Sequence, residues 1–138
     1  MPEMKGGCLC GQLRYMANAE PVFIGVCHCK NCQKESGTAF NVVVAVPQSA
    51  VSIQGSPRTY TSKGDSGMDY VRRLCPNCGS TILSEPAALP GIAALRAGTL
   101  DDTSWLKPNM EIFCESAQPW VQLGGGMQRF PKMPPMPG

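Results

Sequence analysis

Eight cysteines, most of them in close clusters, limit how this 138-residue chain can fold. They are Cys8 and Cys10; Cys27, Cys29 and Cys32; Cys75 and Cys78; and the isolated Cys114. Disulfides between such near neighbours are geometrically difficult, and a redox C-x-x-C pair would begin a helix, whereas CPNCG falls in a predicted turn. Metal ligation is the interpretation that accounts for all three clusters.

The clusters divide into one set of four sulfurs and one set of three. A structural zinc takes four ligands in a tetrahedron, and the pairs Cys8/Cys10 and Cys75/Cys78 supply four thiolates from distant parts of the chain. Such a site supplies roughly 10–16 kcal/mol of apparent binding free energy, comparable with the whole stability of a small domain, about 5–15 kcal/mol. We therefore predict a closed structural zinc at these four cysteines.

The remaining cluster, Cys27, Cys29 and Cys32, can direct three sulfurs at one metal because its C-x-C and C-x-x-C spacings overlap. Three protein ligands leave a fourth position free, which is the pattern of a catalytic zinc. The alternative is that Cys114 completes this site and both metals are closed. Side-chain alternation along residues 110–114 instead predicts that Cys114 is a small buried residue on one face of a strand.

Three further ionisable residues are candidates for roles beside the metals. His28, the single histidine, lies between two predicted ligands, so its side chain should point away from the metal. We predict a hydrogen-bonding or packing role, with acid–base chemistry as the alternative because only histidine normally titrates near neutrality. Asp101 and Asp102 could form a catalytic carboxylate pair, but after Gly-Thr-Leu they are more typical of a turn or helix cap.

The composition disfavours several functional classes. The net charge is +2 and charged residues make up 16% of the chain, which lacks the basic stripe of a nucleic-acid-binding domain. No run of about 18 apolar residues predicts a membrane span, and the first residues lack the apolar region of a signal peptide. We expect one small cytoplasmic domain with reduced thiols and with no nucleic-acid or membrane partner. A homodimer is compatible with the sequence.

Short alternating or apolar segments, separated by Gly and Pro, predict an all-β fold. About eight strands are expected, drawn from residues 12–16, 22–26, 39–46, 51–54, 58–62, 68–74, 80–84, 92–98 and 110–114. The apolar segment 39–46 is predicted to be central, and residues 51–62 are predicted to be a hairpin that turns near Gly55. Residues 68–84 are expected to form a second hairpin with CPNCG at its tip. Residues 30–37 should make one helical turn ended by Gly37.

The composition changes at Gly124. Residues 1–123 are predicted to form the zinc-binding β domain, and residues 124–138, rich in Gly and Pro, are predicted to be a tail. On composition alone this tail is disordered, and either a partner chain or the body of the domain would be needed to order it.

The order of the motifs resembles the glutathione-dependent formaldehyde-activating family, which is related to centromere protein V. The motifs are G-C-x-C-G at 7–11, C-H-C-x-x-C-Q-K-x-S-G at 27–37, C-x-x-C-G-S at 75–80, A-G-T-L-D-D at 97–102 and P-W at 119–120. The resemblance covers about residues 5–123. It implies a β-tent fold of mostly antiparallel strands, with a structural zinc at the first set of four cysteines and a second zinc at the set of three. Glutathione can approach this second zinc as a ligand.

The resemblance also implies an activity. The family reaction joins glutathione and formaldehyde to S-(hydroxymethyl)glutathione and is classed as a carbon–sulfur lyase reaction, so a small thiol and a small aldehyde are the expected partners. The catalytic residues would then be Cys27, Cys29 and Cys32. Lys30 and Lys34 could offset the negative charge of thiolates and substrate, and Gly37 could offer a backbone donor.

Two other functional classes stay open beside this enzyme. One is a non-catalytic module that binds zinc or glutathione without turnover. The other is a zinc domain for nucleic-acid or protein interaction, which the mild charge and the 7% aromatic content disfavour.

Overall fold

The computed structural model describes residues 3–134. The first two residues of the predicted 1–123 domain and the last four of the predicted tail therefore lie outside the described residues. The elements are, in chain order, β1 (Glu3–Gly7), β2 (Arg14–Asn18), β3 (Phe23–Cys27), α1 (Lys30–Ser36), β4 (Asn41–Pro47), β5 (Val51–Gln54), β6 (Arg58–Lys63), β7 (Asp69–Leu74), β8 (Thr81–Pro86), β9 (Ile92–Arg96), β10 (Met110–Ile112) and β11 (Gln128–Arg129). Single 3₁₀ turns lie at Gln48–Ala50, Ala97–Thr99 and Cys114–Ser116. The predicted mostly β class is confirmed.

The chain divides into two compact units. The first contains Met1–Val22 and Val44–Leu106, and the second contains Phe23–Val43 and Lys107–Gly138. Strand β4 begins in the second unit and ends in the first.

The first unit holds two sets of paired strands. One is the antiparallel sheet β1-β2-β5, and the other follows the order β4-β9-β8-β7-β6. Strands β7 and β8 pair antiparallel, which confirms the predicted hairpin with CPNCG at its tip. The strands of this unit bury a set of apolar side chains, as expected for strands that alternate or run apolar. They include Leu13, Val44, Val46, Ile82, Leu83 and Leu95.

The predicted hairpin at 51–62 is wrong, although both of its strands exist. Strand β5 pairs with β2, whereas β6 pairs with β7. The chain turns at Gly55, whose φ of 100° is in the left-handed region and whose added Cβ would lie 2.8 Å from the Gln12 carbonyl. Strand β5 extends the sheet of β2 and alternates half-buried with exposed residues, whereas β6 is almost fully exposed and extends the sheet of β7, so the two strands join different sheets.

The second unit contains α1 and the strand order β11-β10-β3-β4. Here β10 runs parallel to both β3 and β11, so these pairs are exceptions to the expected antiparallel arrangement. The compositional prediction of disorder is wrong for Gln128–Arg129, because these residues form β11 and pair with Met110 and Glu111. The ordering comes from the chain itself.

Two of the strands carry little sequence signal. Strand β1 reads EMKGG, and β11 is only two residues long within a Gly- and Pro-rich segment. Because glycine is depleted in strands, the composition of both segments disfavours a strand assignment. Both strands form because they pair with other strands, β1 with β2 and β11 with β10.

Among residues 3–134, no helix is long and apolar enough to cross a bilayer.

Gly6→Ala tests the packing of β1, the strand that leads into Cys8. An added Cβ at Gly6 would lie 2.4 Å from the Thr99 carbonyl and 2.5 Å from the Tyr15 hydroxyl. The Tyr15 hydroxyl is itself held by a 2.7 Å hydrogen bond with the Thr99 hydroxyl. We expect a loss of about 1–3 kcal/mol in the free energy of unfolding, measured by urea denaturation, because the backbone must shift to relieve the contact. Gly98→Ala is the matched control, since nothing lies within 4 Å of a Cβ there; equal losses in the two variants would contradict this account.

Candidate metal centres

Four cysteine sulfurs converge in the first unit. Cys8 and Cys10 lie in the turn after β1, and Cys75 and Cys78 lie in the turn that joins β7 to β8. The Cys8 and Cys10 sulfurs are 3.7 Å apart, the Cys10 and Cys75 sulfurs are also 3.7 Å apart, and all four lie within 4.8 Å of one another. The structure therefore brings together the four residues that the sequence predicts as one metal site.

Tight turns aim these sulfurs. The amide of Gly11 donates to the Cys8 carbonyl at 3.1 Å, so the first pair lies in a turn. The amide of Gly79 donates to the Cys75 carbonyl at 2.9 Å, and Gly79 has φ 80°, a conformation that glycine adopts without strain. The CPNCG sequence thus forms the predicted turn at the tip of the hairpin.

Backbone and hydroxyl donors stabilise negative charge on the sulfurs. The Ser80 hydroxyl at 3.3 Å and its backbone N–H lower the pKa of Cys78 to about 5. Burial alone would raise the pKa of Cys8, but the Leu13 amide at 3.2 Å and neighbouring thiols lower it below its usual value. Donors around a thiolate cluster are what a sulfur-ligated metal requires.

The donor set fits zinc. Zinc–sulfur bonds of about 2.3 Å in a tetrahedron place the sulfurs about 3.8 Å apart. The observed separations of 3.7 Å between neighbouring sulfurs agree with this spacing. The four thiols can occupy all four positions of a tetrahedral zinc, so this site needs no additional ligand.

A second set of three sulfurs forms in the second unit. Cys27 ends β3, Cys29 is the N-cap of α1, and Cys32 lies in the first turn of that helix. Their sulfurs lie within 4.8 Å of one another, so this group could also hold a metal ion. The Cys32 amide donates to the Cys29 sulfur at 3.3 Å, and Gly37 ends the helix with φ 72° as predicted. We call this group the cysteine triplet.

The triplet is largely buried, and its thiols are hydrogen-bonded to one another. Cys27 and Cys32 are 6% and 4% exposed, and Cys29 is half-buried. Hydrogen bonds with the Cys27 and Cys32 thiols lower the pKa of Cys29 to about 3, and the same network raises the pKa of Cys27. Within this network Cys29 is therefore the sulfur that carries negative charge readily, whereas Cys27 retains its proton.

The eight cysteines, all within residues 3–134, are free thiols.

His28 points away from the triplet, as predicted for the residue between two ligands. It is 1% exposed, and its Nε2 donates to Oε1 of Glu111 at 2.8 Å, since a carboxylate only accepts. The ring also lies 5.8 Å from that of Phe40. Arg129 lies 3.5 Å from the other oxygen of Glu111. The hydrogen-bonding role of His28 is confirmed, and its acid–base role stays a prediction.

Cys114 departs from its predicted environment. Strand β10 ends at Ile112, Phe113 has φ 56°, and Cys114 begins a 3₁₀ turn, so the alternation used to place its side chain stops before it. Cys114 is half-buried rather than buried, so that prediction is wrong. Its sulfur groups with His28 and Glu111 within 4.8 Å, a third cluster that could hold a metal ion.

The two carboxylates of the A-G-T-L-D-D motif have structural partners. The two terminal guanidinium nitrogens of Arg14 donate to the two carboxylate oxygens of Asp101, and this lowers the pKa of the Asp101 carboxyl. Asp102 accepts from the amide and hydroxyl of Ser104 at 2.9 and 2.6 Å, which is an Asx turn. The turn interpretation of this motif is confirmed.

Comparison with known proteins identifies the family. A family model described as "Glutathione-dependent formaldehyde-activating enzyme" matches residues 3–116. The chain belongs to the glutathione-dependent formaldehyde-activating family. The match contains all eight cysteines and ends before the segment that forms β11.

Two individual proteins are also similar to this member of the family. A Colletotrichum graminicola protein, whose name describes a glutathione-dependent formaldehyde-activating enzyme, is 24% identical over 118 residues, covering 77% of this chain and 61% of the relative. The chain thus spans less than two thirds of that relative. A crystal structure of a Rhodobacter sphaeroides protein is 16% identical with a TM-score of 0.58, over 71% of this chain and 88% of that one, and supports the fold.

The positively charged residues predicted for substrate lie on α1. Lys30 and Lys34 are exposed, and Gly37 is the exposed residue that caps the helix. All three belong to the same short element as Cys32, so the helix carries them together.

Sequence reasoning missed two residues that support the triplet. The side-chain amide of Gln33 donates to the carbonyls of His28 and Ser116 at 2.7 and 3.0 Å, and Gln118 donates to Gln33. Glu111 anchors His28. The glutamine that follows the third cysteine in the family signature was a usable signal for Gln33, whereas nothing in the strand sequence marked Glu111.

Metal content separates the closed and open interpretations of the cysteines. In Cys75→Ser we expect the zinc content to fall by about one ion per chain, because three thiols hold the ion far less tightly than four. The thermal midpoint should fall by roughly 10 °C or more, as one kcal/mol corresponds to about 2–8 °C. Mass spectrometry and calorimetry measure both quantities. Cys114→Ser should retain the wild-type zinc content, and a lost ion there would assign Cys114 as a ligand.

Glu111→Ala should destabilise the protein by about 1–3 kcal/mol, because it leaves the buried His28 Nε2 without its acceptor. Urea unfolding measures the change. Glu115→Ala, at an exposed position in the same segment, is the control and should change stability little. Equal effects in the two variants would show that the His28–Glu111 contact contributes nothing.

Proposed function

We propose that this chain is a zinc-dependent carbon–sulfur lyase of the S-(hydroxymethyl)glutathione synthase type. It would join glutathione, or a related small thiol, with formaldehyde or a related small aldehyde. Family membership supports the substrate class. The observation that carries the mechanism is the unequal grouping of sulfurs, four in one cluster and three in the other.

The two clusters would have different roles. The structural zinc would be held by Cys8, Cys10, Cys75 and Cys78. The catalytic zinc would be held by Cys27, Cys29 and Cys32, with the fourth position left for the substrate thiol. When bound there, zinc would keep the incoming thiol deprotonated at neutral pH.

The chain's own residues would hold the triplet in a fixed arrangement. The pairing of β3 with β10 sets Cys27 opposite Ile112, and the His28 amide donates to the Ile112 carbonyl at 3.0 Å. The Cys32 amide at the start of α1 donates to Cys29. Fixed sulfurs of this kind orient a thiol at low entropic cost, and orientation can contribute several kcal/mol to the lowering of a barrier, up to about 7–11 in well-oriented intramolecular reactions.

The proposed reaction conserves atoms and electrons without a further reactant. The thiol sulfur forms a bond to the carbonyl carbon, the carbon–oxygen π bond breaks, and the oxygen receives the proton that the thiol released. The product is a hydroxymethyl thioether, and the reverse reaction releases aldehyde and thiol.

Charge supports the predicted binding residues. Three thiolates around a divalent ion leave a net negative charge, and glutathione brings two carboxylates. The exposed ammonium groups of Lys30 and Lys34 lie on the helix that carries Cys32, where they would offset this charge. The predicted backbone donor at Gly37 is not available, because its amide donates to the Gln33 carbonyl at 2.9 Å. Gly37 would instead leave space for a peptide ligand, since it has no side chain.

A specific observation favours a second candidate, a non-catalytic zinc- or glutathione-binding module. Two of the three triplet sulfurs are nearly inaccessible, at 6% and 4% exposed for Cys27 and Cys32. A buried triplet could bind metal for stability alone.

Exchange kinetics distinguish these candidates. With glutathione and formaldehyde, the protein should accelerate formation and breakdown of the hydroxymethyl adduct, measured by NMR exchange spectroscopy. In Cys32→Ser we expect at least a roughly 10-fold fall in the protein-dependent rate, as changes around a metal site typically cost 10–100-fold.

The control for this experiment is Cys114→Ser, which should keep the wild-type rate. Binding of glutathione by wild-type protein without any rate enhancement would refute the enzyme and leave the binding module.

A further inference from the structure

The segment Gln128–Met133, which we call the cover segment, is anchored by the backbone to the unit that carries the triplet. The Phe130 amide donates to the Glu111 carbonyl at 2.9 Å, and the Cys114 amide donates to the Phe130 carbonyl at 3.0 Å. Pro131 accepts from Glu115 at 3.3 Å. Strand pairing with β10 and the contact of Arg129 with Glu111 add to this attachment. The segment is therefore held in one register.

The cover segment places two apolar side chains against a buried cluster that includes two cysteines of the triplet. Phe130 and Met133, both half-buried, pack against the cluster formed by Cys27, Cys32 and Ile112. An aromatic ring and a thioether beside sulfur give favourable contacts and exclude water. The burial of the triplet thus includes a contribution from residues near the C-terminal end.

This feature lies outside the family match, which ends at residue 116. The signature cysteines lie in the matched region, whereas the cover segment follows it in the chain. A residue that lines a site without supplying its chemistry is well placed to set which molecules can enter.

We propose that Phe130 and Met133 are specificity-determining residues of the triplet site, which admit thiols whose sulfur is carried on an unbranched CH2 group, as in glutathione, and exclude reagents with a ring or branch next to the reacting atom. The name of the incoming molecule rests on the proposed function; the restriction of access rests on the packing alone. Removing the Phe130 ring should open the site more to a large reagent than to a small one, because size exclusion acts on the larger molecule first.

Alkylation of full-length, zinc-loaded protein tests the proposal. Iodoacetamide is the small probe and N-phenylmaleimide the bulky one, and mass spectrometry of peptides reports the rate at Cys29 and Cys32. In Phe130→Ala we expect the rate with the bulky probe to rise about tenfold, with a smaller rise for the small probe, as a local closing equilibrium loses an aromatic contact. The rates at Cys75 and Cys78, in the other unit, serve as an internal reference and should not change.

Gln128→Ala, an exposed position in the same strand, is the matched control and should leave both rates as in the wild type. If the reference rates also rise in Phe130→Ala, unfolding is responsible, and the milder variants Phe130→Leu and Met133→Ala decide with the same measurement. Unchanged selectivity between the two probes at the triplet in these variants overturns the proposal.

The outcomes separate this proposal from the proposed function. If the wild-type protein does not accelerate adduct formation, but Phe130→Ala loses the selectivity between the two probes, the proposed activity is refuted and the role of the cover segment is supported. If the wild-type protein is active and the variants keep the selectivity, the proposed activity is supported and the role of the cover segment is refuted.

Discussion

The convergence of four sulfurs is the constraint on which the first unit depends. Cys8 and Cys10 follow β1, whereas Cys75 and Cys78 form the tip of a hairpin more than sixty residues later, and yet the Cys10 and Cys75 sulfurs are 3.7 Å apart. Four thiols this close repel as they ionise unless a cation lies among them. A metal at this point would join the turn after β1 to the hairpin of β7 and β8. It would supply stability that a larger domain obtains from a bigger apolar core.

The triplet depends on local structure instead. Its sulfurs come from six consecutive positions where a strand passes directly into a helix, so the strand end and the helix N-cap alone bring them together. What tertiary structure adds is the support around them. Glu111 holds His28 on the side away from the sulfurs, and Gln33 connects the helix to the segment at Ser116. The segment from the end of β3 into α1 therefore supplies the three sulfurs and also, through the neighbouring side chains of His28 and Gln33, the contacts that hold them in place.

Prediction from sequence worked best where period and spacing are local. Strand β5 was predicted with its observed bounds, β3 and β6 within one residue at either end, and the helix with its Gly37 cap was predicted in place. It failed where partners are distant. The predicted 51–62 hairpin failed because adjacent strands joined different sheets, and the Cys114 environment failed because Phe113 adopts a left-handed conformation that side-chain alternation does not reveal.

The sequence by itself determined which atoms could bind metal, since cysteine spacing sets which sulfurs can reach a common point whatever surrounds them. Only the tertiary structure decided what encloses them. The C-terminal segment, whose composition predicts disorder, forms β11 and packs Phe130 and Met133 on the triplet. A strand of two residues is too short to be stable alone, and its residues have little β propensity. It forms because β10 has an edge with backbone groups free to pair. The buried cluster that includes Cys27 and Cys32 adds an apolar surface for the residues that follow.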